Sequence, residues 1–168
     1  MIKLYHGSHI EVKQPLALAG RTNLDFGRGF YLMSIYEQAA SWAKVIASRK
    51  SRNAAKPIVS VYNFDEEAVR RSSFNWRVFE EYNLDWLDYV VSCRKGSSVY
   101  QRYDIVEGGV ANDNVIDTVE DYEKGIITAE QALGQLRYKH INHQICLVNQ
   151  DVIDRHLQFV GIREEAEL

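Results

Sequence analysis

His6-Gly7-Ser8 and the run Asp25-Phe26-Gly27-Arg28-Gly29-Phe30-Tyr31 are the residues of this chain whose types and spacing suit chemistry rather than packing alone. A buried strand favours Val or Ile and avoids glycine, and a glycine within one often marks close approach by a ligand or another backbone. His6 can hold a ligand hydroxyl, and Gly7 admits a ligand to the main chain. The Tyr31 ring can stack on a flat cation, with Gly27 and Gly29 clearing space around it. Each has a plainer alternative. A histidine near the N-terminus is commonly a surface group, an aromatic cluster commonly forms core, and paired glycines can mark only a bulge.

These residues need elements to hold them. Residues 2–6 alternate as a strand, and so do 28–33, where Phe30 and Leu32 share one face while Gly29, Tyr31 and Met33 share the other. Ser34-Ile35-Tyr36-Glu37 has capping-box spacing and predicts a helix with Ala39, Ala40, Trp42, Ala43, Ile46 and Ala47 on its apolar face. "PIVSVYNF" from Pro57 predicts a strand. Residues 72–95 carry helical patterning in which Trp76, Phe79, Leu84, Leu87 and Val91 face a core. "YDIVEGGV" predicts a strand broken by Gly108 and Gly109. Asn112 or Asp113 caps a helix ending at Gly125, and Thr128-Ala129-Glu130-Gln131 begins another. "NHQICLV" and "LQFVGI" predict the last strands. The class is α+β.

The bulk properties bound the function. The 168 residues, 46% hydrophobic and 26% charged, suit one domain over 1–168. A net charge of -3, with no Lys/Arg run, excludes a general nucleic-acid surface and a basic membrane patch. Arg49, Lys50 and Arg52 read as a solvated helix end. No leader pattern opens the chain and no long apolar run follows, so a cytoplasmic protein is expected. Cys93 and Cys146 form neither a disulfide framework nor a CxxC spacing, and both are expected reduced and partly buried. His140, His143 and Cys146 are spaced by three, but strand alternation turns His143 away from the other two, so no metal is expected. Neither cysteine has a local partner for nucleophilic catalysis.

Taken in order, "YHGS" (5–8), "DFGRGFYL" (25–32), "EQAASWA" (37–43), "YDIVEGGVANDN" (103–114) and "NHQICL" (142–147) resemble a bacterial family of DUF3990 type, grouped with the ADP-ribosyltransferase superfamily. The resemblance covers nearly the whole chain. It implies a split β-sandwich with peripheral helices that grips NAD in a cleft between two small sheets, with no metal. It implies a mono-ADP-ribosyltransferase, toxin-like, acting on an unknown macromolecular acceptor, with a small antitoxin protein as partner.

His6 and Tyr31 match the first two positions of a His-Tyr-Glu signature, and Gln144 stands where the glutamate is usual. Gln144 can accept a hydrogen bond from a ribose hydroxyl, yet it brings no charge and cannot act as a base. Gln144 can equally be a solvent-facing strand residue. Asp113, with Asp104 behind it, is kept as an alternative carboxylate. On this reading the catalytic set is His6, Tyr31, Gln144 and Asp113, and the NAD-binding set is His6, Gly7, Ser8, Arg28, Gly29 and Tyr31. The alternatives are an NAD glycohydrolase and a silent module that binds NAD or ADP-ribose.

Overall fold

The computed structural model describes residues 1–50, 55–111 and 115–165. The described residues form a mixed α+β fold with two sheets and six helices. Strand β1 (Ile2–Ser8) is followed by a 3-10 turn at Ala17–Ala19, β2 (Phe30–Leu32), α1 (Tyr36–Arg49), β3 (Ile58–Phe64), α2 (Glu66–Arg71), β4 (Trp76–Val78) and α3 (Leu84–Arg94). A second 3-10 turn at Ser98–Arg102 leads to β5 (Ile105–Gly109), α4 (Ile116–Glu123), α5 (Ala129–Leu136), β6 (His143–Leu147), α6 (Gln150–His156) and β7 (Leu157–Glu164).

One sheet has the order β1-β3-β7 and is antiparallel throughout; the other has the order β2-β6-β5-β4, with β4 and β5 parallel. Among the described residues a single bridge joins them. Tyr5 N donates to Met33 O at 2.9 Å, and Met33 N donates to Tyr5 O at 2.8 Å. The strand pleat then sorts the apolar residues into three clusters. Leu4, Tyr62 and Phe64 of the first sheet meet Phe30, Leu32, Ile105, Ile145 and Leu147 of the second. Ala39, Ala40 and Ala43 of α1 pack on Val59, Tyr5 and Met33. Val106 and Cys146 lie with Phe26, Phe79 and the buried faces of α3, α4 and α5.

Several elements differ from the sequence expectation for reasons of local geometry. Ser34 does not cap α1: the helix begins at Tyr36 with Ile35 as its N-cap and no side-chain hydrogen bond, because Met33 is still tied to Tyr5. Trp42 faces outward, with Arg49 over its ring at 5.5 Å. The stretch 72–95 is a strand and then a helix: Trp76–Val78 pair with Ile105–Glu107, and Asn83 caps α3 by accepting from Trp86 N at 2.9 Å. Gly108 and Gly109 lie inside β5 rather than breaking it. A side chain there would meet Phe79 Cβ at 3.0 Å or the Tyr82 ring at 2.4 Å. A helix does begin at residues 128–131 as expected, and Thr128 and Gln131 close a capping box at the start of α5. No helix among the described residues is long and apolar enough to cross a membrane.

Candidate functional site

His6 lies on the middle of β1, on the same face as Leu4, with its ring 4.5 Å from that of Phe30. Its Nδ1 stands 2.8 Å from the Tyr31 carbonyl oxygen. A carbonyl only accepts, so Nδ1 carries the proton and Nε2 keeps its lone pair for an incoming hydroxyl. Burial pushes the imidazole pKa below its ordinary 6.5, and the bond to the Tyr31 carbonyl pulls it partly back. His6 is therefore a neutral acceptor at pH 7.

Gly7 faces the opposite way, into α1. A Cβ there would lie 2.1 Å from Ala39 O and 2.9 Å from Ala43 N, so helix packing requires the glycine whatever the ligand. Its main chain retains the other role. Since Tyr5 points its N–H and C=O at Met33, antiparallel alternation turns those of Gly7 to the same edge, away from β3. Ser8, half-buried, ends β1 on the His6 face.

Tyr31 sits on β2 opposite Cys146 of β6. Its hydroxyl accepts from Phe26 N at 3.0 Å and donates to Gly27 O at 2.5 Å, and its ring lies 14° from parallel to that of Phe26 at 6.5 Å. Burial holds the hydroxyl pKa well above 10, so it stays a phenol. The flanking glycines answer to other neighbours than Tyr31. Gly27 adopts φ +78°, and a Cβ on it would strike the Tyr100 ring at 2.3 Å. One on Gly29 would strike Cys146 Sγ at 2.4 Å. They let the loop lie flat on Tyr100 and β6. Arg28 forms no ion pair among the described residues, and its Nε is buried without a partner.

Gln144 is buried on β6, opposite Gly108 and on the same face as Cys146, which places it diagonally across from Tyr31. Its Nε2 donates to Asp25 Oδ2 at 3.4 Å. That same oxygen accepts from Ala111 N at 2.9 Å, while Oδ1 receives Arg94 at 3.2 Å, and Arg94 reaches on to Glu120 at 3.7 Å. Burial raises the Asp25 pKa, against the Ala111 amide and the Arg94 cation, which lower it. Asp25 received no role from the sequence. The available signal was an acid beginning a run that is otherwise glycine, aromatic residues and one arginine.

His6, Tyr31 and Gln144 are thus linked through β1, β2 and β6: His6 bonds the Tyr31 main chain with its ring beside Phe30, while the Tyr31 and Gln144 side chains share the opposite face of the second sheet. Asp113 lies outside the described residues, as does Asn112. Asp104 is committed to structure: its carboxylate accepts from Asn75 N at 2.6 Å and from Asn149 Nδ2 at 2.9 Å.

Residues 2–159 match the family described as Protein of unknown function (DUF3990). The chain belongs to that family. Among curated proteins, none matches it. In this DUF3990 chain, a shallow depression of about 370 Å3 lies elsewhere, lined by Arg77, Phe79, Asp85, Asp88, Tyr89 and Tyr103, and His6, Tyr31 and Gln144 are not among its lining. Among the described residues, no three His, Cys, Asp or Glu side chains gather to hold a metal. The register puts His143 and Cys146 on opposite faces of β6.

Proposed function

We propose that this DUF3990 protein binds NAD and transfers its ADP-ribose to a macromolecular acceptor, on an ADP-ribosyltransferase-like arrangement of its two sheets. The observation that carries the reading is that His6, Tyr31 and Gln144 lie on the linked strands β1, β2 and β6, with His6 Nδ1 bonded to the Tyr31 carbonyl. In the reaction the bond between ribose C1' and the nicotinamide nitrogen breaks, and both electrons leave with a neutral nicotinamide. A lone pair of the acceptor then bonds C1', and the acceptor's proton passes to solvent. The protein must orient the ribose, hold the leaving group and exclude water.

His6 Nε2 accepts a ribose hydroxyl. The outward N–H and C=O of Gly7 bracket the nicotinamide amide, and the Tyr31 face opposite Phe26 stacks on the cationic ring. The unpartnered Nε of Arg28 suits the pyrophosphate, and Ser8 is placed for a ribose. Gln144 Oε1 accepts the 2'-hydroxyl. By the resemblance the protein acts as a toxin neutralised by a small antitoxin. An amide in place of a carboxylate favours a second reading, in which NAD is only hydrolysed or held intact.

NAD labelled in the adenosine half separates these: label on macromolecule supports transfer, free ADP-ribose supports hydrolysis, and intact bound NAD supports a silent module. For the site itself, Tyr31→Ala should lose at least about 1 kcal/mol of NAD affinity by calorimetry. Folded Tyr31→Ala and His6→Ala proteins that both bind NAD like the parent would place the ligand elsewhere.

A further inference from the structure

Gln144 raises a chemical problem that its neighbour addresses. A group beside a developing oxocarbenium ion does most when it carries negative charge, and an amide carries none. We propose that Asp25 is the charge-bearing, positioning partner of Gln144: its carboxylate claims Nε2, turns Oε1 towards the ribose and supplies from behind the amide the charge that Gln144 lacks. The proposal rests on the NAD reading of the site.

The geometry supports each part. A carboxylate only accepts, so the end of the amide facing Asp25 must be the NH2 group, leaving Oε1 as the acceptor for a ligand. At 3.4 Å the contact is long, so the charge acts through the field as much as through the bond. The Ala111 amide and Arg94 hold the carboxylate in place at 2.9 and 3.2 Å. Asp25 also opens the run that ends in Tyr31, so the stacking ring and the charge share one loop and strand. No ligand contact is assigned to Asp25 itself.

The test compares nicotinamide release and the KM for NAD in four proteins. Asp25→Asn keeps the size of the side chain, and Arg94 retains Glu120. Its kcat should fall about tenfold or more while KM moves less than about threefold, because the charge acts as the bond stretches. Asp25→Asn/Gln144→Glu returns a carboxylate to the site and should recover kcat to within about threefold of the parent, a rescue that a merely structural role for Asp25 would not produce. Asp25→Asn/Arg94→Gln removes both charges of the ion pair, which keeps the test usable if the single variant does not fold, and it should show the same loss. An active parent matched by a folded Asp25→Asn, or by the Asn/Gln double variant, overturns the proposal alone. Loss without rescue by Gln144→Glu also overturns it. A parent that neither binds NAD nor releases nicotinamide removes the NAD reading, and the proposal with it.

Discussion

His6 couples the fold to pH through its own burial. Its folded pKa lies below 6.5, so the unfolded chain takes up the proton first, and stability falls as pH drops from about 6.5 towards the lower folded value. Asp25 and Glu107 act oppositely. Burial raises both carboxyl pKa values above 3.8 and 4.5, so the folded state keeps their protons longer and their contribution grows with acid. Comparing parent with His6→Gln isolates the imidazole. Between about pH 7 and pH 5.5 the parent should lose more Tm than His6→Gln, and equal slopes would mean that His6 is protonated alike in both states. At this scale the sequence placed His6 and Tyr31 on strands, as β1 and β2 show, and the glycines beside them singled them out as candidates. It left Asp25 obscure, because its burial depends on Ala111 and Gln144, 86 and 119 residues away.

Elements carry a different kind of information, visible in what two glycines do. Gly7 lies against the backbone of α1, where the 2.1 Å approach to Ala39 O cannot be relieved by turning a side chain. Gly7→Ala should therefore cost about 1–3 kcal/mol or prevent folding, before any effect on a ligand is considered. Gly134, within α5, has open space at its Cβ position, and Gly134→Ala should gain about 0.5–1 kcal/mol. Urea unfolding of the two variants reads both signs; a neutral Gly7→Ala would show that α1 shifts freely over β1. Local signals succeeded where the chain was left to itself, as in the helix start at residues 128–131. They failed where a distant partner decided: Trp76–Val78 became a strand through Ile105–Glu107, and Ser34 lost its capping role to the Tyr5–Met33 bridge. Helical periodicity within 72–95 carried no record of that pairing.

On the scale of the whole molecule, the two thiols report how the fold opens. Cys93 on α3 and Cys146 on β6 lie in one buried cluster; burial raises both thiol pKa values, that of Cys93 to about 12, so neither is a thiolate at neutral pH while folded. Labelling by a thiol reagent must wait for opening. For Cys146 that opening dismantles the candidate site, because Tyr31 pairs directly across from it and Gly29 lies against its sulfur. If NAD binds the folded state alone, NAD at about 100 times its Kd should slow labelling about 100-fold, the kinetic image of about 2.7 kcal/mol of added stability. Mass spectrometry of the labelled peptides gives each thiol its own rate. Equal slowing at both is the expected result, with sheet and α3 opening as one unit. Slowing confined to Cys146 would mean that α3 opens alone, and no slowing at Cys146 would contradict an NAD site built on β2 and β6.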